Sequence, residues 1–157
     1  IPYGDVLIKN RYVARTFIQP TQELRELSVR LKLNVMRANV EGKRIVLIDD
    51  SIVRGTTSKR IVSLLRAAGA KEVHLRIASP PVTHPCYFGI DTPTKENLIS
   101  ANFTTEEICR QLGADSLAFL TDEALRATVP HCQLGLCTAC FDGHYPVPIE
   151  QQPVHIS

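Results

Sequence analysis

Apolar residues in this chain come in short runs separated by glycine, proline and hydroxyl clusters, and the densest run is Ile45-Val46-Leu47-Ile48. Four consecutive aliphatics predict a strand buried on both faces, since a half-exposed strand would alternate with polar residues. Downstream, Ile61, Val62, Leu64 and Leu65 fit one face of a helix over Lys59 to Ala68, and Gly69 stands where a helix ends. Glu72 to Ser79 alternates moderately and predicts the next strand, closed by Pro80 and Pro81, which cannot donate to a ladder. Thr104 and Glu107 carry a capping-box spacing that opens a helix to Leu112; Ser116 to Leu120 predicts a strand and Asp122 to Thr128 a helix. Near the start, Val6 to Ile8 suggests a strand leading into a basic loop, and Leu24, Leu27 and Leu31 suggest an amphipathic helix from Thr21. Strands alternating with helices at this spacing indicate an α/β fold with a parallel sheet flanked by helices. Residues 1–130 are expected to form that domain. Residues 131–157 are expected to be an irregular, cysteine-containing segment packed on it, proline-rich from Tyr145.

Chemistry enters where the apolar run stops. Asp49 and Asp50 stand at the predicted carboxyl end of the strand, the edge at which parallel sheets bind ligands. Ser51, Gly55, Thr56, Thr57 and Ser58 follow, leading into the helix. A helix start offers free N–H groups and the positive end of the dipole, and a glycine permits close approach, so the loop should take an anion. The two acids would repel that anion. A ligand satisfying both halves carries a phosphate at one end and hydroxyls or a metal ion at the other, as a sugar phosphate with magnesium does. A bare turn or capping pair is the plainer reading of the acids, but two adjacent carboxylates against a buried strand are costly unless a cation or polyol uses them.

Composition changes the picture only modestly. With 157 residues, 44% of them hydrophobic, and both charge signs interspersed, the chain can bury a core of its own. A formal charge of +2 argues against a nucleic-acid surface, and no apolar run approaches a membrane span. The chain opens on Ile1 in what reads as the middle of an α/β domain, so it is expected to be the C-terminal part of a longer protein. Five cysteines, in a chain taken to be cytoplasmic, are read as reduced or metal-bound. Cys137 and Cys140 form a two-sulfur arm suited to zinc or an iron–sulfur cluster; Cys132 extends it to a ferredoxin-like spacing, and Cys109 lies in an amphipathic helix as a small apolar residue. The five histidines show no metal-site spacing.

The run from Ile45 to Ser58, IVLIDDSIVRGTTS, resembles the phosphoribosyl pyrophosphate (PRPP) signature of type I phosphoribosyltransferases, and its wording is similar to that of the glutamine PRPP amidotransferase family, the amidophosphoribosyltransferases. Three further motifs follow that family's order: Ile8 to Ile18 (IKNRYVARTFI), Pro85 to Asp91 (PCYFGID) and Cys137 to Cys140 (CTAC). The resemblance implies a type I phosphoribosyltransferase fold lacking its early strands, preceded by a glutaminase domain. It implies a glycosyltransferase that joins glutamine-derived ammonia to C1 of PRPP, giving phosphoribosylamine and pyrophosphate in the first step of purine synthesis. PRPP would be held by Asp49, Asp50, Ser51, Ile52, Val53, Arg54, Gly55, Thr56 and Thr57, with magnesium at Asp49 and Asp50. Lys9 and Arg15, in a lid reaching to about Leu33, are the implied catalytic groups. Cys86, Cys137 and Cys140 match three ligands of a 4Fe–4S cluster, the fourth lying outside this chain. Purine nucleotides as inhibitors and a homo-oligomeric state are also implied, with little or no turnover by the isolated chain. A PRPP-binding regulator and a nucleobase salvage enzyme are the rival readings; the first leaves the basic lid without a purpose, the second the cysteines.

Overall fold

A computed structural model of the chain describes residues 1–9, 33–90, 92, 94–130 and 135–149. Three strands, β3 (Arg44–Asp49), β4 (Glu72–Ile77) and β5 (Ser116–Phe119), form a parallel sheet in the order β3-β4-β5. Ile45 pairs with Val73, Asp49 with Ile77 and Ile77 with Phe119, so all three carboxyl ends lie along one edge. The helix α2 (Thr56–Ala67) links β3 to β4. A 3-10 turn (Lys95–Asn97), α3 (Ile99–Asn102) and α4 (Thr105–Leu112) link β4 to β5. Parallel strands require such crossovers, and the predicted α/β architecture is the one observed.

Apolar spacing decides which face is covered. Ile61, Val62 and Leu65 of α2 and Ile108 and Leu112 of α4 pack on Ile45, Val73, Leu75 and Ile77, forming one core with Val40 and Ile52. Along β3 the side chains alternate, and Val46 and Ile48 point away from that core, 39% and 73% exposed. The aliphatic run was expected to be buried on both faces. Among the described residues only one face is covered, because the helices that fill the core all pack on that side. On the other face Glu72 links His74 and Arg44, and Ser116 links His74 and Arg76.

The helix ends follow the residues that stop them. After α2, Gly69 adopts φ +92°, and the amides of Gly69 and Ala70 donate to the carbonyls of Arg66 and Leu65, the paired bonds of a Schellman ending. Thr104 and Glu107 make both bonds of the predicted capping box on α4. Thr121 accepts from the Ala124 amide to open α5 (Asp122–Ala127).

Ahead of the sheet, β1 (Leu7–Lys9) pairs antiparallel with β2 (Leu33–Val35), Lys9 opposite Leu33, and α1 (Arg37–Val40) follows. The pattern missed β2 and α1, which are too short to show a period. The helix expected from Thr21 lies outside the described residues. The cysteine segment expected to be irregular contains one helical turn, α6 (Ala139–Asp142).

Candidate functional site

Asp49 closes β3 at the carboxyl edge of the sheet. It follows Ile45 and Leu47 onto the helix-covered side, so its carboxyl group is half-buried. Burial raises its pKa above the usual carboxylate range. The neighbouring charge of Asp50 pushes the same way, while the Asp50 amide, donating to Asp49 Oδ1 at 3.1 Å, partly offsets them. Such a carboxylate gains from a cation or a pair of hydroxyl donors. Asp50 is exposed and accepts from Ser51 Oγ at 3.0 Å.

The loop after the acids hangs on Ile52, whose side chain is 1% exposed in the core. The Val53 carbonyl accepts from the Ile99 amide at 2.9 Å, which ties the loop to α3. Gly55 then turns the chain into α2 with φ +77°. Two independent constraints require glycine there. The left-handed conformation is strained for other residues, and a Cβ would stand 2.8 Å from Ile99 Cδ1 and 3.4 Å from Leu112 Cδ2. The first intrahelical bond of α2 runs from Lys59 N to the Gly55 carbonyl, so the amides of Thr56, Thr57 and Ser58 have no partner in the preceding turn. No acidic residue occupies that first turn, and the Thr56 and Thr57 side chains are exposed. An anion seated on these amides would meet the positive end of a three-turn helix, beside the carboxylates of the strand end. Arg54 is exposed. Lys9 ends β1, but its side chain and all of Arg15 lie outside the described residues.

The cysteines form a second cluster. Cys86 and Cys140 are half-buried, Cys137 is exposed, and all are free thiols. The amides of Thr83 and His84 donate to the Cys140 carbonyl at 2.9 and 3.0 Å, joining the loop that carries Cys86 to α6. Tyr145 donates its hydroxyl to the Pro85 carbonyl at 2.7 Å, and the Cys86 amide donates to Thr92 Oγ1 at 2.6 Å. Burial raises the Cys140 thiol pKa, and the nearby Cys86 and Cys137 add to it, as thiols sharing one field do. Among the described residues, no three His, Cys, Asp or Glu side chains are set to hold a metal ion. The donor set is nonetheless soft, as an iron–sulfur centre requires, and a polynuclear cluster takes each thiolate on a different iron, so its ligands stand farther apart than those of one ion. Cys109 donates Sγ–H to the Ala114 carbonyl at 3.3 Å, away from this group. Cys132 lies outside the described residues.

Sequence reasoning missed Ile99 and Leu112 as the floor beneath Gly55, and Thr92 as the partner of the Cys86 amide. The glycine was legible as a loop residue; the side chains that crowd any substitute come from elements beyond the reach of local patterns.

Residues 1–79 match the family described as Phosphoribosyl transferase domain. The chain is 56% identical over 152 residues to an amidophosphoribosyltransferase of Synechococcus elongatus, covering 97% of this chain and 31% of that protein. It is 59% identical over 151 residues to one of Archaeoglobus fulgidus, covering 95% and 33%. A solved glutamine PRPP amidotransferase from B. subtilis, complexed with ADP and GMP, superposes with a TM-score of 0.85 at 56% identity, over 98% of this chain and 35% of that one. The chain thus spans about a third of the length of the relatives it matches.

Proposed function

This chain belongs to the phosphoribosyl transferase domain family, and on that premise we propose that it is the PRPP-binding part of an amidophosphoribosyltransferase, which joins ammonia to C1 of PRPP in the first step of purine synthesis. The observation that carries the reading is the pairing of Asp49 and Asp50 at a strand end with the free amides of α2 behind a left-handed glycine packed on Ile99.

In this reading Asp49 and Asp50 accept the hydrogens of the ribose hydroxyls, while the amides of residues 55–58 and the hydroxyls of Thr56 and Thr57 receive the 5-phosphate. Held at both ends, the sugar presents C1 to a nucleophile without rotational search. Pyrophosphate departs with the C1–O electron pair, the ring oxygen shares the developing positive charge, and ammonia attacks the opposite face and loses a proton. The displacement needs no covalent nucleophile, so the chain's contribution is position and electrostatics. Magnesium would be held by Asp49 and Asp50 and would supply neutralisation of the leaving pyrophosphate. Lys9 and Arg15 are proposed to meet the same anion. The segment from Lys9 to about Leu33 is proposed to close over the bound substrate; residues 10–32 of it lie outside the described residues. Cys86, Cys137 and Cys140 would ligate a 4Fe–4S cluster, and ammonia would come from a glutaminase domain. Purine nucleotides are proposed as inhibitors, consistent with the ADP and GMP named in the B. subtilis complex.

Calorimetric titration with PRPP and magnesium tests the site directly. The chain is expected to bind, and the variant Asp49→Asn with Asp50→Asn to lose most of that affinity. Hydrogen bonds to a charged group contribute about 1.5 to 3 kcal/mol each, or roughly ten- to hundredfold in Kd. Equal affinity in the double variant would overturn the assignment.

A further inference from the structure

Arg126, in the last turn of α5, connects that helix to the cysteine arm. Its Nε donates to Asp122 Oδ2 at 2.6 Å, and one terminal nitrogen donates to Thr138 Oγ1 at 2.6 Å and Asp142 Oδ2 at 3.4 Å. Thr138 in turn donates its hydroxyl to Asp142 Oδ2 at 2.7 Å, so the lone pair it turns to Arg126 completes a ring of three. Asp142 Oδ1 accepts from the His144 amide at 2.8 Å, and this bond together with the Thr138 hydroxyl holds the Asp142 pKa below the usual range. Thr138 is 5% exposed and sits between Cys137 and Cys140.

The same turn is gripped by the loop after β4. Thr83 Oγ1 donates to the Phe141 carbonyl at 2.7 Å and accepts from His84 Nδ1, and the His84 ring lies on Gly143 so closely that a Cβ there would come 2.8 Å from Nε2. The peptide bearing Cys137 and Cys140 is thus held from two sides by groups that use neither sulfur.

We propose that Arg126 is a positioning residue which, through Thr138 and Asp142, fixes the arm carrying Cys137 and Cys140 against the loop carrying Cys86, so that the three thiols converge before any metal arrives. The consequence for metal loading rests on the cluster reading given above; the convergence of the thiols does not. A guanidinium suits the task because its planar fork addresses Asp122 and the Thr138–Asp142 pair at once, with its donors already oriented. Thr138 is buried, so its hydrogen bonds face little competition from water. Partners that orient metal ligands without touching the metal are worth roughly ten- to hundredfold in metal affinity.

The test uses the whole chain, kept reduced and metal-free, with Arg126→Gln and the shape-preserving Thr138→Val. Dibromobimane, which becomes fluorescent on bridging two nearby thiols, is followed by peptide mapping of the bridged cysteines. The unsubstituted chain is expected to bridge Cys86 to an arm cysteine, with the yield falling severalfold in both variants while their far-ultraviolet dichroism matches. After anaerobic reconstitution, iron, sulfide and the visible charge-transfer band are expected to be lost to a chelator roughly ten- to hundredfold more readily in the variants. Bridging that is absent from the unsubstituted chain, or unchanged in Arg126→Gln, overturns the proposal whatever the iron content. Bridging that falls as expected in a chain that takes up no iron upholds the positioning role on the thiols alone.

Discussion

Gly55 shows how much a single position can carry. Replacing it with alanine forces an L-residue into the left-handed region, at about 1–2 kcal/mol, and drives a methyl group into Ile99 Cδ1. Gly55→Ala is expected to lose at least about that much stability in urea denaturation. PRPP affinity should fall as well, since the Ile99 side chain and the turn cannot both stay in place; a stable variant with full affinity would show the turn to be adaptable. Asp49 and Asp50 were legible at this scale because two acids directly after an aliphatic run are a local signal. Their difference was not: which of them faces the helices follows from strand alternation and from where α2 and α4 pack. Arg126 was not singled out in the sequence, although it stands four residues after Asp122 and pairs with it. Its bond to Thr138 joins elements whose proximity no spacing rule reveals.

Elements were readable in proportion to their length and punctuation. The long helix α2, with Gly69 at its end, and α4, with its capping box, have mechanisms written into adjacent residues. Thr104→Ala removes the acceptor for the Glu107 amide and is expected to cost about 1 kcal/mol, visible as a lower Tm; Thr104→Ser should restore most of it. The one-turn helices α1, α3 and α6 and the three-residue β2 span less than a usable period, so packing rather than pattern decides them. The aliphatic run of β3 misled in one respect. Continuous apolarity indicates what a strand can tolerate on both sides, whereas Val46 and Ile48 show what the described residues place there. The same run correctly located the strand, because four aliphatics bounded by charge leave little room to shift its ends.

Across the whole molecule, carboxylates join the layers, and their protonation sets the response to acid. Asp115 accepts from the Val73 amide at 2.6 Å and from Arg66, tying the start of β5 to β4 and α2. The Val73 amide, then Arg66, hold its pKa below the usual range, as His74 and Arg44 do for Glu72 and Thr104 does for Glu107. Because these folded-state pKa values lie below the unfolded ones, the unfolded chain binds more protons in that window. Their contribution is complete above the ordinary carboxylate range and is lost as pH falls through the depressed values. Asp49, raised by burial, contributes with the opposite sign. Thermal unfolding is therefore expected to move to lower temperature from about pH 5 to about pH 3, with a shallower slope in Asp115→Asn; an unchanged slope would show that Asp115 does not contribute. The pairing of Lys9 with Leu33 has an architectural result. The pair brings the two ends of the stretch between them side by side, so that closure is set by main-chain hydrogen bonds of β1 with β2 rather than by side chains.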